Sequence, residues 1–260
     1  MNSKKYSWII PLSLFILTLV SVANFMLITL DVRQDNDSLR RAETYFPIES
    51  FVMVTQDLVT FQQICNSEGE DCLPVSVPQF QMSGTGSGVI VGQQDGKSLV
   101  VTAGHVCVNN SVRVPMTEDL TSQYTISLET GYGETGYGTV IAIDMPNDLC
   151  LLISDTYLGP ALEIADEEPL LHEKVYNMAS PLGLAVPVAV PVFDGYFSGQ
   201  VSTLYIFTIP AAPGSSGSPV MNKNREVVSI INAAAVSFDE YAIGCRTQAL
   251  RNFLISAGVL

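Results

Sequence analysis

Gly214-Ser215-Ser216-Gly217-Ser218-Pro219 stands between Tyr205-Ile206-Phe207-Thr208-Ile209 and Val220-Met221, two runs of strand-forming composition. In a free linker such a Gly/Ser string carries no structural meaning, but between two strands it is a tight turn that presents a hydroxyl. Gly214 permits backbone conformations closed to other residues, Gly217 relieves crowding behind Ser216, and Pro219 opens the next strand without needing a donor. Two motifs upstream complement it. Val101-Thr102-Ala103-Gly104-His105 ends one β-forming run, and Asp148-Leu149-Cys150-Leu151-Leu152 opens another.

These three residue types answer one chemical problem. A serine hydroxyl is a poor nucleophile at neutral pH; it needs an imidazole within hydrogen-bonding reach and a carboxylate to fix that ring's tautomer. An anionic oxygen formed on an attacked carbonyl needs preorganised donors, which the N–H groups of Gly214 and Ser216 would supply from the same turn. Each residue has a rival. Ser215 neighbours Ser216, but the Gly-x-Ser-Gly-x-Pro register selects Ser216. His172 is the second histidine and lies in polar Leu171-His172-Glu173-Lys174, which reads as a solvated turn. Asp144 and Asp155 lack the apolar run that follows Asp148 and places it at the mouth of a buried strand. The candidate set is therefore His105, Asp148 and Ser216.

Short β-rich runs recur from Phe51 to Ile153, including Gly88–Val91, Val112–Val114 and Tyr124–Leu128, and a second series runs from Lys174 to Gly244, including Val186–Val192 and Leu204–Ile209. Strands at this spacing without intervening amphipathic helices indicate an all-β chain of antiparallel barrels. Apolar positions 250, 253, 254 and 257 predict one short closing helix over 247–257. The reading is a domain over 49–260, with a first barrel at 49–154 and a second at 172–246. Thr130-Gly131-Tyr132-Gly133, repeated as Thr135-Gly136-Tyr137-Gly138, predicts a hairpin turn. Ala185-Val186-Pro187-Val188, repeated as Ala189-Val190-Pro191-Val192, predicts an edge strand, where proline loses no ladder bond.

Residues 8–30 form an uncharged 23-residue stretch, long enough to cross a bilayer as a helix. Lys4 and Lys5 precede it, and Asp31, Asp35 and Asp37 follow. The reading is a transmembrane signal-anchor over 1–30 and a polar stalk over 31–48. A cleaved signal peptide is the alternative, because Ser21-Val22-Ala23 resembles a small-residue cleavage site. Either way the remainder is expected outside the cytoplasm, membrane-anchored or secreted. The chain carries a net charge of −14, which repels phosphate backbones and argues against a nucleic-acid partner.

The five cysteines fit an oxidising compartment. Cys65 and Cys72 bracket a polar loop that a local disulfide would close. Cys107 and Cys150 each follow a motif residue by two, so a fold that joins the motifs also joins these cysteines. Some of the five can equally be small buried apolar residues. With no Cys-x-x-Cys and only two histidines, neither a metal site nor a cofactor is expected.

The motifs together resemble the trypsin-like peptidases, and most closely the protease domain of the HtrA type, over about residues 80–257. Gly84-Thr85-Gly86-Ser87-Gly88-Val89-Ile90 looks like that family's first strand, and Ala179-Ser180-Pro181-Leu182-Gly183 like a turn of its second barrel, with Ala179 in place of the usual glycine. The resemblance implies two six-stranded barrels, a His105–Asp148–Ser216 triad, an oxyanion hole from the Gly214 and Ser216 N–H groups, and serine endopeptidase activity through an acyl-enzyme. It also implies that Asn232, Ala233, Ala234 and Ala235 pair with the substrate backbone, and that the run with Pro210 and Ala211 forms the primary pocket. No acidic residue occurs in that run, which argues against a preference for Lys or Arg. HtrA-type proteins continue into a PDZ domain where this chain stops, and residues 50–80 match nothing beyond a leading strand. A non-catalytic binding domain on the same fold and an esterase are the competing readings.

Overall fold

The computed structural model describes residues 46–65, 72–108, 120–235 and 238–260, with backbone alone at 61–65, 72–81, 120–122 and 238–240. The 8–30 segment, nearly all of the stalk, and the Val112–Val114 run lie outside the described residues. Among the described residues no helix is long and apolar enough to cross a membrane.

Among the described residues twelve strands form two closed barrels. The first contains β1 (Phe51–Cys65), β2 (Cys72–Gln94), β3 (Lys97–Ala103), β4 (Leu120–Thr130), β5 (Thr135–Asp144) and β6 (Leu149–Ser154). The second contains β7 (Lys174–Met178), β8 (Val192–Val201), β9 (Leu204–Phe207), β10 (Pro219–Met221), β11 (Val227–Ala235) and β12 (Phe238–Cys245). Their hydrogen-bonded orders are β1-β2-β3-β6-β5-β4 and β7-β8-β9-β12-β11-β10, each closing on its first strand. The second barrel thus repeats the topology of the first.

Sequence composition explains the layers. In β6 five of the six residues of Leu149-Cys150-Leu151-Leu152-Ile153-Ser154 are buried, the signature of a strand covered on both faces, whereas β5 alternates exposed and half-buried residues along its length. The first core gathers Val52, Val54, Ile90, Val100, Ile126, Leu128 and Leu152. The second gathers Val175, Phe197, Tyr205, Phe207, Ile209 and Val220. Phe197 packs edge-on to Tyr205 with ring centroids 4.8 Å apart, a preferred aromatic geometry.

The closing helix α2 (Thr247–Ser256; α1 is the single turn Gly104–Cys107) buries Leu250, Phe253 and Leu254. Thr247 Oγ1 donates to the Val228 carbonyl at 2.7 Å, and Arg251 pairs with Asp166 at 2.9 Å on the connection between the barrels.

Two expectations change. The Ala-Val-Pro-Val repeat is no edge strand: Val186 bridges only to Ala189 across a turn in which Val188 has φ +60°. Pro187 and Pro191 lack the donors a ladder needs, and the Val188 N–H instead reaches the Gly131 carbonyl at 2.6 Å. The strand starts at Val192, where the repeat ends. Residues 50–80 hold more than a leading strand, since β1 and β2 form a long antiparallel hairpin that sets Cys65 opposite Cys72. The side chains of Cys65 and Cys72 lie outside the described residues. The expected hairpin turn at Gly131–Tyr132 joins β4 to β5.

Cys107 and Cys150 form a disulfide, with Cα atoms 6.4 Å apart and a sequence separation of 43. In the chain-entropy account a loop of that length is worth about 4 kcal/mol. The Cys107→Ala/Cys150→Ala double variant is expected to lose a stability of that order in denaturant titration, and a loss within experimental scatter would refute it. Cys245 is a buried free thiol, and burial pushes its pKa up to about 11.

Candidate active site

The site is assembled at the seam where β2 and β3 of the first barrel meet the turn before β10. His105 is the second residue of α1, directly after β3. Asp148 directly precedes β6, and β3 pairs with β6 so that Ala103 lies opposite Leu149. This register alone brings the two motifs together. The contact is double: Asp148 Oδ2 lies 2.7 Å from His105 Nδ1, and Asp148 Oδ1 accepts the His105 main-chain N–H at 2.7 Å. The Gly104 N–H donates to the Asp148 carbonyl at 2.9 Å. The carboxylate therefore grips both the ring and the backbone of the histidine, which removes most of the freedom of its orientation.

Local structure explains why Asp148 takes this role. It follows a 3-10 turn, Met145–Asn147, and has φ +52° and ψ 52°, a left-handed conformation that Asp tolerates better than most residues. Asp144 caps that turn, with Oδ2 accepting from Asn147 Nδ2 at 2.7 Å. Asp155 accepts the Tyr137 N–H at 2.8 Å. Both rival acids are thus committed elsewhere, Asp144 to its own turn and Asp155 to the backbone of β5. Gly104 is required by close approach, since a Cβ there would lie 2.9 Å from Asp148 Oδ1.

Ser216 sits in the turn between Ile209 and Pro219. Its backbone holds it at the seam, with its carbonyl accepting the Ser87 N–H at 2.7 Å. Gly86 lies between Val106 and the Ser216 carbonyl, so closely that a Cβ would come within 2.9 Å of Val106 and 3.2 Å of that oxygen. Gly217 packs against Thr102 and Ala103, just ahead of His105, and has φ +88°. Ser215 is 2 % exposed and its Oγ accepts the Ala212 N–H at 3.3 Å, whereas Ser216 is half-buried. The Ser215 hydroxyl oxygen is thus buried and turned to the turn's own backbone.

The amides of the turn divide into two sets. Ser215, Gly217 and Ser218 donate to the carbonyls of Ala212, Ile231 and Ser215. Among the described residues the N–H groups of Gly214 and Ser216 donate to no protein acceptor. The far side of the turn is fixed by buried Asn177, whose Nδ2 donates to Ser218 Oγ at 2.8 Å and to the Pro219 carbonyl at 2.9 Å.

The remaining candidates are placed as follows. β11 pairs with β10 as far as Ile230, and Gly217 and Ser218 extend that contact to Ile231. Past this point Asn232, Ala233, Ala234 and Ala235 keep β12 as their one strand neighbour among the described residues, so an open strand edge begins beside Ser216. Pro210 is exposed, whereas Ala211 is buried in the second core. His172 is an exposed turn residue with φ +65°. Ser87 was not singled out from the sequence, yet its N–H and hydroxyl bind the Ser216 and Gly214 carbonyls of this turn. The signal for it was Gly86 and Gly88, the glycines on either side of it in the strand, each of which meets a backbone carbonyl closely.

Comparison with known proteins places this geometry in context. Residues 86–230 match the profile of the trypsin-like peptidase domain. Serine protease Do-like HtrA of Bacillus subtilis (strain 168) is 29% identical over 171 residues, covering 61% of this chain and 35% of its own length. The chain thus spans about a third of the curated relative it matches. Among solved structures, a serine endoprotease from Yersinia pestis superposes with a TM-score of 0.57 at 16% identity, over 81% of this chain and 63% of its own. A protease from M. tuberculosis in its active form gives 0.56 at 14% identity, over 82% of each chain. At these identities the two structures speak to the fold alone.

Proposed function

Because the chain belongs to the trypsin-like peptidase domain family, we propose that it is a serine endopeptidase working through His105, Asp148 and Ser216. The observation that carries this reading is the doubly held His105–Asp148 pair at the same seam as a turn with two uncommitted amides. The Ser216 hydroxyl attacks the scissile carbonyl while His105 Nε2 takes its proton. Asp148 holds the ring with its proton on Nδ1 and stabilises the imidazolium. The Gly214 and Ser216 N–H groups receive the oxyanion. His105 then protonates the leaving amine, and water resolves the acyl-enzyme by the same steps in reverse.

The substrate backbone adds as a strand along 232–235, where main-chain hydrogen bonds give affinity without sequence demands. The pocket side formed by Pro210 and its neighbours carries no acid, so a small or medium aliphatic P1 side chain is expected; a peptide-library profile dominated by Lys or Arg would overturn this. Export of the domain, with residues 8–30 as a membrane anchor, is part of the same proposal, and so is action on proteins outside the cytoplasm.

Labelling with a fluorophosphonate probe tests the mechanism. Wild type and Ser215→Ala are expected to label, and Ser216→Ala not at all. A folded chain that labels in none of these forms would leave the non-catalytic binding reading; cleavage of activated esters with no cleavage of casein would favour an esterase. Gly104→Ala supplies a geometric test. The new methyl would press on Asp148 Oδ1, and a displacement approaching 1 Å costs on the order of 10²-fold in turnover. KM should stay within about threefold, as for the loss of a transition-state interaction.

A further inference from the structure

Gly214 is flanked by two peptide groups, and both are held from outside the turn. The carbonyl of Pro213 accepts the Leu182 N–H at 2.6 Å. The carbonyl of Gly214 accepts the hydroxyl of Ser87, from the other barrel, at 2.8 Å. No described peptide bond is cis, so the Gly214 N–H points opposite to the Pro213 carbonyl, away from the 181–183 turn. Leu182 holds the peptide that carries this N–H, and Ser87, with the Ser215 N–H to Ala212 carbonyl bond, holds the next one, so Gly214 is fixed on both sides.

Ser87 is fully buried, and its hydroxyl has no freedom of role. The Ser180 N–H reaches Ser87 Oγ at 2.9 Å and can only donate, so the hydroxyl accepts there and must give its own proton to Gly214. The same residue spends its N–H on the Ser216 carbonyl at 2.7 Å, and its carbonyl accepts Thr102 Oγ1 at 2.7 Å. One serine on β2 thus binds the carbonyls on either side of Ser215, the 180–183 turn, and the strand leading to His105.

We propose that Ser87 is a positioning residue for the oxyanion site: its hydroxyl relays from Ser180 to the Gly214 carbonyl and holds the Gly214 amide in place to receive the developing charge. The inference rests on the endopeptidase reading above. Ser87 touches no substrate. Its effect falls on the step in which the tetrahedral oxygen forms, because a donor that must reorient during reaction stabilises charge less than one already fixed. Losing the hydroxyl leaves the Ser180 N–H and the Gly214 carbonyl buried without this partner, and the Gly214–Ser215 peptide then keeps only the bond from the Ser215 N–H to the Ala212 carbonyl, which loosens Gly214 on one side.

The test uses the full chain, with active enzyme counted by fluorophosphonate titration, and compares wild type, Ser87→Ala and Ser98→Ala. Ser98 is an equally buried serine whose Oγ accepts the Leu158 N–H at 2.9 Å elsewhere in the first barrel. It therefore controls for the cost of losing a buried hydrogen bond. Three quantities are read: kcat, KM, and affinity for a peptide boronic acid, which forms a tetrahedral adduct on the nucleophile. Ser87→Ala is expected to lower kcat on the order of 10- to 100-fold, below the full loss of one oxyanion donor, with KM within about threefold. Boronate affinity should fall in parallel. Ser98→Ala should lose comparable thermal stability and keep its kcat. If Ser87→Ala does not fold, Ser87→Cys, with a weaker donor of similar size, carries the same expectation at reduced amplitude. The proposal fails if kcat is unchanged, if KM absorbs the effect, or if boronate affinity does not move with kcat. Those failures leave wild-type activity intact, whereas a wild type that neither cleaves nor labels removes the endopeptidase reading and this inference with it.

Discussion

His105→Ala and Ser216→Ala are each expected to lower turnover on the order of 10⁶-fold, and the double variant no further. The non-additivity is the informative part. A base without a nucleophile has no proton to take, and a nucleophile without a base stays a neutral alcohol, so removing either abolishes the same step. What remains is the amide pocket and the substrate strand, which alone still accelerate hydrolysis by about 10³–10⁴ over water. Single-turnover hydrolysis of a peptide substrate at high enzyme concentration would reach that residual rate. A double variant much slower than either single would mean that the two residues act in separate steps, and the shared mechanism would fall. Ser215→Ala should sit near wild type, since its hydroxyl is already occupied by the Ala212 N–H.

The architecture was legible where strands are dense in β-branched and aliphatic residues. Leu149–Ile153 reads directly as a strand because burial on both faces demands such composition. β8 was displaced for a physical reason: Val192–Val201 contains Gly195 and Gly199, which propensity counts against a strand. The structure uses one of them for approach, since a Cβ on Gly195 would lie 2.1 Å from the Thr208 carbonyl. Meanwhile the more apolar Ala-Val-Pro-Val repeat looked like the better strand and folds as a turn, because two prolines remove the donors that a ladder needs. The β1–β2 hairpin was missed in part because Pro74 and Pro78 fall inside β2, where a proline argues against a strand, and the register of β1 shifts where it passes them.

The site divides in the same way. His105 and Asp148 could be paired from sequence, since each borders an apolar run and adjacent strand ends bring such borders together. Cys107 and Cys150, two residues further along each strand end, follow with them. Ser87 lies within the Gly84–Ile90 motif, but a serine inside a strand has no chemistry that would assign it a role by itself. Its role appears only when two barrels close on one another and its hydroxyl meets Gly214, 127 residues away in the chain.

Asp148→Asn is expected to lower turnover on the order of 10⁴-fold near neutral pH while leaving the fold intact. Asparagine tolerates the left-handed conformation at φ +52° as aspartate does, so the backbone has no reason to move. The amide must then choose its orientation. One carboxylate oxygen accepts the His105 main-chain N–H and the other faces Nδ1, both at 2.7 Å. Turning the NH₂ toward the main-chain N–H would set donor against donor, so the amide oxygen stays there and the NH₂ faces the ring. Nδ1 must then accept, which moves the ring proton to Nε2. A ring with its proton on Nε2 can donate toward Ser216 but cannot take the hydroxyl proton. Fluorophosphonate labelling should therefore slow in step with kcat, with little change in KM or thermal midpoint. A variant within about tenfold of wild type would mean that something other than this carboxylate sets the tautomer, and the role given to Asp148 would have to be abandoned.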